Sequence, residues 1–416
     1  MVKIQGMYKE RLITEKLKRL VNTFPAVVLT GARQVGKSTL LTHIFPNFEH
    51  VTFDPVIDIG YSSDEPDIFL RNHPTPVILD EIQYAPELIS AVKRRIDNDR
   101  SPGQYIITGS QQWAVMKNIS EALTGRAVIV DMEGFSLSEI AGRITEKNWL
   151  SNWLNLSPEE FKAGHTRLPA QRPLFEQLWR GWLPEVERLA AEDIIIYLRS
   201  YIQTYVERDV RNLLDTSDWQ SFGKFLQMIS ALTAQEMNYS RFGNDLDISP
   251  QTVRRWFSVI EGTFQWFNIA SFSGNTLKRI CRRQKGYFAD TGLACSLNRI
   301  SSHRSLLGHP IAGALFETAV VSEIRKLSTT LAMPPQFYHW RTAGGAEVDL
   351  IMERDGSLFP VEIKMTSNPG KKHLSGINAF RRTYPKLSIA PGLVICPCEK
   401  FVQISQTDYA LPWDSV

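Results

Sequence analysis

Cysteine is scarce in this chain: Cys281, Cys295, Cys396 and Cys398 are the four among 416 residues, and none has the paired spacing with histidine that a metal site needs. So few sulfurs exclude a disulfide-built scaffold, and a reduced, cytoplasmic compartment is the expectation. Long apolar runs are absent too. No stretch approaches the roughly 18 consecutive apolar residues of a membrane span. The opening MVKIQGMYKERLITEKLKRL alternates charged with apolar residues where a secretory signal has an unbroken apolar core. Neither secretion nor membrane association is expected. Repeats and low-complexity tracts are missing, which excludes a solenoid or a linker-dominated chain. A net charge of +3 does not by itself indicate a polyanion partner, so a nucleic-acid reading has to rest on local basic clusters.

Core material is plentiful, with 43% hydrophobic and 10% aromatic residues. The first third alternates short apolar runs, Ala26–Thr30, His50–Phe53, Pro76–Leu79, Gln104–Thr108 and Ala127–Val130, with amphipathic segments. That rhythm predicts a parallel sheet covered on both faces. From about Gly134 to Asp215 the pattern is helical and tryptophan-rich, and large aromatics at such spacing fill cores. Ser249-Pro250 supplies an N-cap and a first-turn proline for a helix through Arg254, Arg255 and Trp256. With a preceding helix over Tyr239–Asp247 this predicts a helix-turn-helix. Beyond Gly286 a helix around Phe316–Leu327 is followed by strands at Phe337–Trp340, Glu347–Met352 and Leu358–Ile363. The expected segments are 1–140, 141–215, 216–285 and 286–416.

The run Gly31-Ala32-Arg33-Gln34-Val35-Gly36-Lys37-Ser38 lies between an apolar strand and a helix. Glycines at the two ends let the backbone approach phosphates, and the helix points its positive end at them. Lys37 is expected on the β- and γ-phosphates of ATP, Ser38 on Mg²⁺, and Gly31, Arg33, Gly36 and Thr39 complete the cradle. Val77-Ile78-Leu79-Asp80-Glu81 ends an apolar strand in two carboxylates: Asp80 for Mg²⁺, Glu81 as the base that polarises water. The strand Tyr105-Ile106-Ile107-Thr108-Gly109-Ser110-Gln111 ends in polar groups suited to orienting that water, with Gln111 the candidate. Together these features predict an additional-strand hydrolytic P-loop ATPase. Arg126, on the loop before the last core strand, is either a cation for the γ-phosphate or half of a structural ion pair. In oligomeric ATPases a neighbour supplies such an arginine, so a homo-oligomer is expected.

The runs GARQVGKST, VILDEIQ, YIITGSQQ and LTGRAVIVDMEGFSLSEI resemble the bacterial and archaeal AAA-type ATPases that carry an appended C-terminal domain. RGWLPE, YVERDV and GYFADTGL extend that resemblance over nearly the whole chain, with Trp182 standing where the short turn has a second glycine in that family. The resemblance implies an AAA/ASCE-type core followed by a helical, winged-helix region and a C-terminal nuclease-like α/β domain.

In that last segment Glu317 sits on a helix, and Asp349, Glu362 and Lys364 sit on the two strands of one hairpin. Alternation puts Glu362 and Lys364 on one face. The arrangement is similar to the PD-(D/E)xK nucleases, which implies Mg²⁺ on Asp349 and Glu362, a supporting role for Glu317, and water activation by Lys364. Such a domain either cleaves or retains a nucleic-acid cradle. Basic residues Arg254 and Arg255, with Lys278, Arg279, Arg282, Arg283 and Lys285 further on, are candidates for DNA phosphates. The reading is an Mg²⁺-dependent ATPase that works on duplex or branched DNA. Two alternatives stay open: an ATP-regulated nuclease of a defence system, and a nucleotide-gated scaffold without turnover.

Overall fold

The structure is a computed structural model that describes residues 8–54, 62–110, 122–145, 147–169, 172–206, 219–275, 279 and 282–415. Five strands, β1 (Ala26–Thr30), β2 (Glu49–Thr52), β3 (Val77–Asp80), β4 (Tyr105–Gly109) and β5 (Ala127–Asp131), form an all-parallel sheet in the order β2-β3-β4-β1-β5. β1, β3 and β4 are buried along their whole length, because helices cover both faces of the sheet. Val27 and Leu29 face one core while Ala26 and Val28 face the other, as a period of two requires. Parallel pairing brings Thr30, Asp80 and Gly109 to one edge of the sheet. The candidate nucleotide residues stand along that edge.

The helices Trp149–Asn155, Pro158–Gly164, Leu174–Arg180 and Ala191–Tyr201 follow. Trp149, Trp153, Trp179 and Trp182 are all buried in the large core shared with the rest of the chain, so the tryptophans are packing groups. Among the described residues no helix is long and apolar enough to cross a membrane.

The next elements are a helix Trp219–Ala231, β6 (Gln235–Glu236), helices Tyr239–Leu246 and Pro250–Gly262, β7 (Trp266–Ser271) and β8 (Lys285–Phe288). Ser249 caps the second of the paired helices by accepting from the Thr252 N–H at 3.0 Å, and Asp247, at φ 54°, ends the first. A mixed sheet then gathers β9 (Gln336–Arg341), β10 (Glu347–Arg354), β11 (Ser357–Ile363), β12 (Ser388–Ile389), β13 (Leu393–Cys396), β14 (Val402–Gln403) and β15 (Tyr409–Pro412). β7 pairs in parallel with β9 through Ala270 and Tyr338 and antiparallel with β8, so a single sheet runs from β14 to β6. The border expected at 285/286 thus falls at the start of β8, inside hydrogen-bonded sheet. Strand pairing between distant segments leaves no trace in local composition.

Candidate functional site

The loop after β1 is shaped by its backbone. Gly31, at φ 149°, lies so close to β5 that a Cβ there would stand 2.1 Å from the Met132 carbonyl oxygen. Gly36, at φ 96°, precedes the helix Lys37–Ile44, whose N-terminus no side chain caps. Lys37 is buried and donates to the Gly31 and Ala32 carbonyls at 2.9 Å each, across the loop. Ser38 donates to Asp80 Oδ2 at 2.6 Å. Thr108 donates to Asp80 Oδ1, and His50 Nε2 lies 3.1 Å from Oδ2. Burial opposes the charge on Asp80, yet the contacts from His50, Ser38 and Thr108 hold its carboxyl below the ordinary carboxylate value. An ionised carboxylate beside a serine hydroxyl is a hard-oxygen pair that suits Mg²⁺. At this end of the sheet the donor set fits the ion.

Glu81, at φ 60°, donates its N–H to Thr108 Oγ1 at 3.1 Å. Its carboxylate accepts from Ser110 at 3.0 Å and from the Gln83 amide. Gln111 lies outside the described residues. Arg33 donates to the Tyr84 hydroxyl at 3.0 Å, and its carbonyl accepts from Tyr201, which ties the loop to the helix Ala191–Tyr201. Thr39 is exposed on the first helical turn.

Three contributors escape sequence reasoning. Thr108 lies in the strand expected to end in polar groups, but nothing in the sequence signals its bond to Asp80, and His50 is a single polar residue with no motif around it. Arg11 is buried, donates to the Val35 carbonyl at 2.6 Å and to the Glu133 carbonyl at 2.7 Å, and pairs with Glu139 at 2.9 Å. It braces the phosphate loop from behind.

Arg126 is placed elsewhere. It precedes Ala127, which pairs with Ala26 at the opening end of β1, whereas the phosphate loop follows Thr30 at the closing end. The two are separated by about 15 Å of strand at ~3.3 Å per residue. Arg126 forms an ion pair with Asp97 at 2.6 Å.

At the other end of the chain, Glu317, Asp349, Glu362 and Lys364 do converge. β10 carries an extra residue against β9 between Val348 and Ile351, a bulge that contains Asp349. Lys364 Nζ lies 2.8 Å from Asp349 Oδ2 and 2.8 Å from Glu362 Oε2, and Asp349 Oδ2 also accepts the Ile363 N–H at 2.8 Å. A second lysine enters from β8: Lys285 Nζ is 2.7 Å from Glu317 and 2.9 Å from Glu347. Tyr287 donates to Glu317 at 2.8 Å. Burial pushes Glu317 up to about 7, against the pull of Lys285. Burial and the neighbouring Asp349 likewise raise Glu362. Asp349, although buried, is held below its ordinary value by Lys285 and Lys364. The carboxylates expected to hold Mg²⁺ are therefore already met by ammonium groups. Among the described residues no group of three or more His, Cys, Asp or Glu is arranged to hold a metal. The donor set at this end does not fit the ion.

Of the basic residues, Arg254, Arg255, Arg282 and Arg283 are exposed, and Arg254 lies over the Tyr239 ring at 5.4 Å. Lys278 lies outside the described residues. Two members of the basic run are corrected by the structure. Arg279 is held by Glu353 at 2.6 Å and stacks over Phe272 at 4.4 Å, and Lys285 is turned inward, buried among carboxylates.

Residues 23–141 match a family described as AAA domain. Residues 171–304 and 312–416 match two families described as Domain of unknown function (DUF8612) and Domain of unknown function (DUF4143). The chain is 26% identical over 412 residues to Uncharacterized protein Rv2008c of Mycobacterium tuberculosis, covering 99% of this chain and 85% of that protein. The same figures hold for Uncharacterized protein Mb2031c of Mycobacterium bovis. Among solved structures, the Walker-type ATPase PABY2304 of Pyrococcus abyssi aligns over 68% of this chain and 94% of its own, at 16% identity and a TM-score of 0.41. The segment with the phosphate loop and the parallel sheet is thus similar to AAA domains.

Proposed function

We propose that the chain is an Mg²⁺-dependent ATPase that couples hydrolysis to contact with DNA. The observation that carries the first half is the meeting of Ser38, Thr108 and His50 on one buried, ionised Asp80, beside a Glu81 carboxylate held by Ser110. Ser38 and Asp80 would hold the metal, which when bound would neutralise phosphate charge. Lys37 moves from the loop carbonyls to the phosphates, as a lysine on a flexible stem can. Glu81, fixed at one carboxylate oxygen by Ser110, takes the proton of the attacking water.

The second half is supported by the order of elements after residue 218: helix, strand, two helices, then the β7–β8 hairpin. That order is shared with winged-helix units, whose second paired helix is the reader. Here that helix exposes Arg254 and Arg255, and Arg282 and Arg283 are exposed on the connection before β8. The hairpin beside these helices shares one continuous sheet, from β6 to β14, with the C-terminal strands. Remodelling of branched DNA by an assembly of several copies is the form of work this reading favours.

The test is ATP turnover without DNA and with single-stranded, duplex and branched DNA. Turnover that Glu81→Gln abolishes and that one of these DNAs raises is the expected result. Turnover indifferent to all of them removes the DNA half. ATP binding without turnover replaces the whole reading by a nucleotide-gated scaffold.

A further inference from the structure

The acid cluster of the C-terminal sheet contains a lysine that the PD-(D/E)xK pattern does not require. Lys285 Nζ stands 2.7 Å from Glu317, 2.9 Å from Glu347 and 3.8 Å from Asp349, so a helix and two acidic positions of β10 converge on one ammonium. A divalent ion ligated by these oxygens has to sit about 2.0–2.6 Å from them, in the volume the ammonium fills. Two cations cannot share that volume, since like charges a few ångströms apart in a poorly hydrated site repel strongly.

Two further oxygens of the cluster are engaged as well. Asp349 Oδ2 takes the Ile363 N–H and Lys364, and Glu362 Oε2 takes Lys364 at 2.8 Å. Glu362 Oε1 abuts Gly376, where a Cβ would stand only 2.2 Å away. The two lysines differ in freedom. The Lys364 side chain is 38% exposed and can swing into solvent, whereas that of Lys285 is 4% exposed. The Lys285 backbone is fixed on both sides, by Ile269 of β7 and Glu236 of β6. Lys364 is a movable partner. Lys285 is not.

We propose that Lys285 is the resident cation of this cluster, standing where a divalent metal would otherwise bind, so that the C-terminal domain takes up no such metal and performs no metal-dependent phosphodiester cleavage. The same side chain then fastens the β7–β8 hairpin, and through it the paired helices, to the sheet.

Mn²⁺ retention by the full chain, read by electron paramagnetic resonance, tests this in an Asp80→Asn background that silences the N-terminal metal site. That chain is expected to retain no Mn²⁺, and Lys285→Met is expected to gain a bound Mn²⁺ that a further Asp349→Asn change removes. Lys285→Arg, which keeps the positive charge, is expected to gain none. Mn²⁺ held by the chain with Lys285 intact and lost on Asp349→Asn overturns the proposal, as does a folded Lys285→Met chain that gains no ion. Where Lys285→Met does not fold, retention by the chain with Lys285 intact decides alone. Every arm is read without ATP, so the outcome is independent of the hydrolase reading.

Discussion

The Ser38 hydroxyl donates to Asp80 Oδ2 at 2.6 Å, joining the helix after the phosphate loop to the end of β3, 42 positions away. Asp80→Asn keeps one of the two oxygens to which Ser38 and Thr108 donate, turns the other into an amide NH₂ that a hydroxyl can accept from, and loses the charge that suits Mg²⁺. The chain is expected to fold and to lose ATP turnover. Glu81→Gln is expected to keep ATP binding and to lower turnover roughly 10²–10⁴-fold, the range for a removed general base. Phosphate release together with calorimetric ATP binding separates the two, and unchanged turnover in Glu81→Gln removes Glu81 as the base.

Arg126 and Asp97 pair at 2.6 Å on the surface at the opening end of β5, away from the phosphate loop. The geometry favours the structural role. Arg126→Ala is expected to leave turnover unchanged, and Asp97→Ala to match it, because exposed pairs contribute little. A collapse of turnover in Arg126→Ala alone, with Asp97→Ala normal, means that the guanidinium reaches the nucleotide of a neighbouring copy.

The parallel sheet was legible because strands buried on both faces read as unbroken apolar runs, and the loop because only glycine admits its backbone at residues 31 and 36. Position along a strand was harder. Which end of β5 holds Arg126 depends on the shared direction of β1 and β5, a non-local property. Lys285 shows the same limit more sharply: in sequence it closes a basic run, and only the pairing of β8 with β6 and β7 turns it toward Glu317 and Glu347. Its acidic partners lie more than thirty positions on. The shared face of Glu362 and Lys364, by contrast, was readable from strand alternation, and Asp349 was joined to them by the similarity to the PD-(D/E)xK arrangement.

Two of the short runs that carry the family resemblance meet at a structural junction. Asp290 of Phe288-Ala289-Asp290 accepts the Trp182 N–H at 2.7 Å and the Leu293 N–H at 3.0 Å, which locks the turn at Gly181 onto the helix Thr291–Leu297. Gly181 has φ 80°, and a Cβ there would stand 2.2 Å from Asp290 Oδ1; at Gly292 it would stand 2.3 Å from the Arg180 carbonyl. Gly181→Ala and Gly292→Ala are each expected to destabilise the fold by on the order of 3 kcal/mol, through clash and, at Gly181, backbone strain. Denaturant unfolding measures this. Gly313→Ala, where nothing lies within 4 Å of the added methyl, is the control expected to cost nothing.

Arg254 and Arg255 are exposed on the helix Pro250–Gly262, and Arg254 lies over the Tyr239 ring at 5.4 Å. Replacing both by glutamate is expected to lower stability only slightly, by about 1 kcal/mol for the lost cation–π contact, and to weaken DNA retention. The slope of log affinity against log salt should fall by about 0.9 for each DNA phosphate that is no longer neutralised. Equal affinity and slope remove this helix from the interface.

Glu323 is a buried carboxyl that accepts the Leu137 N–H at 3.1 Å. Burial lifts it to about 7, and Lys326 only partly offsets that effect. The folded chain therefore holds this proton more tightly than the unfolded chain does. Its stabilisation is complete below the ordinary carboxylate value and is lost as pH rises through about 7. The loss reaches at most about 3 kcal/mol, from 1.36 kcal/mol per pH unit between the two values. Glu323→Gln keeps the acceptor for Leu137 and carries no proton to lose. Thermal unfolding of the two chains should nearly coincide at pH 5 and diverge by pH 8, with the glutamine chain the more stable. Parallel profiles would mean that Glu323 is already ionised in the folded state at low pH, paired with Lys326 strongly enough to overcome its burial.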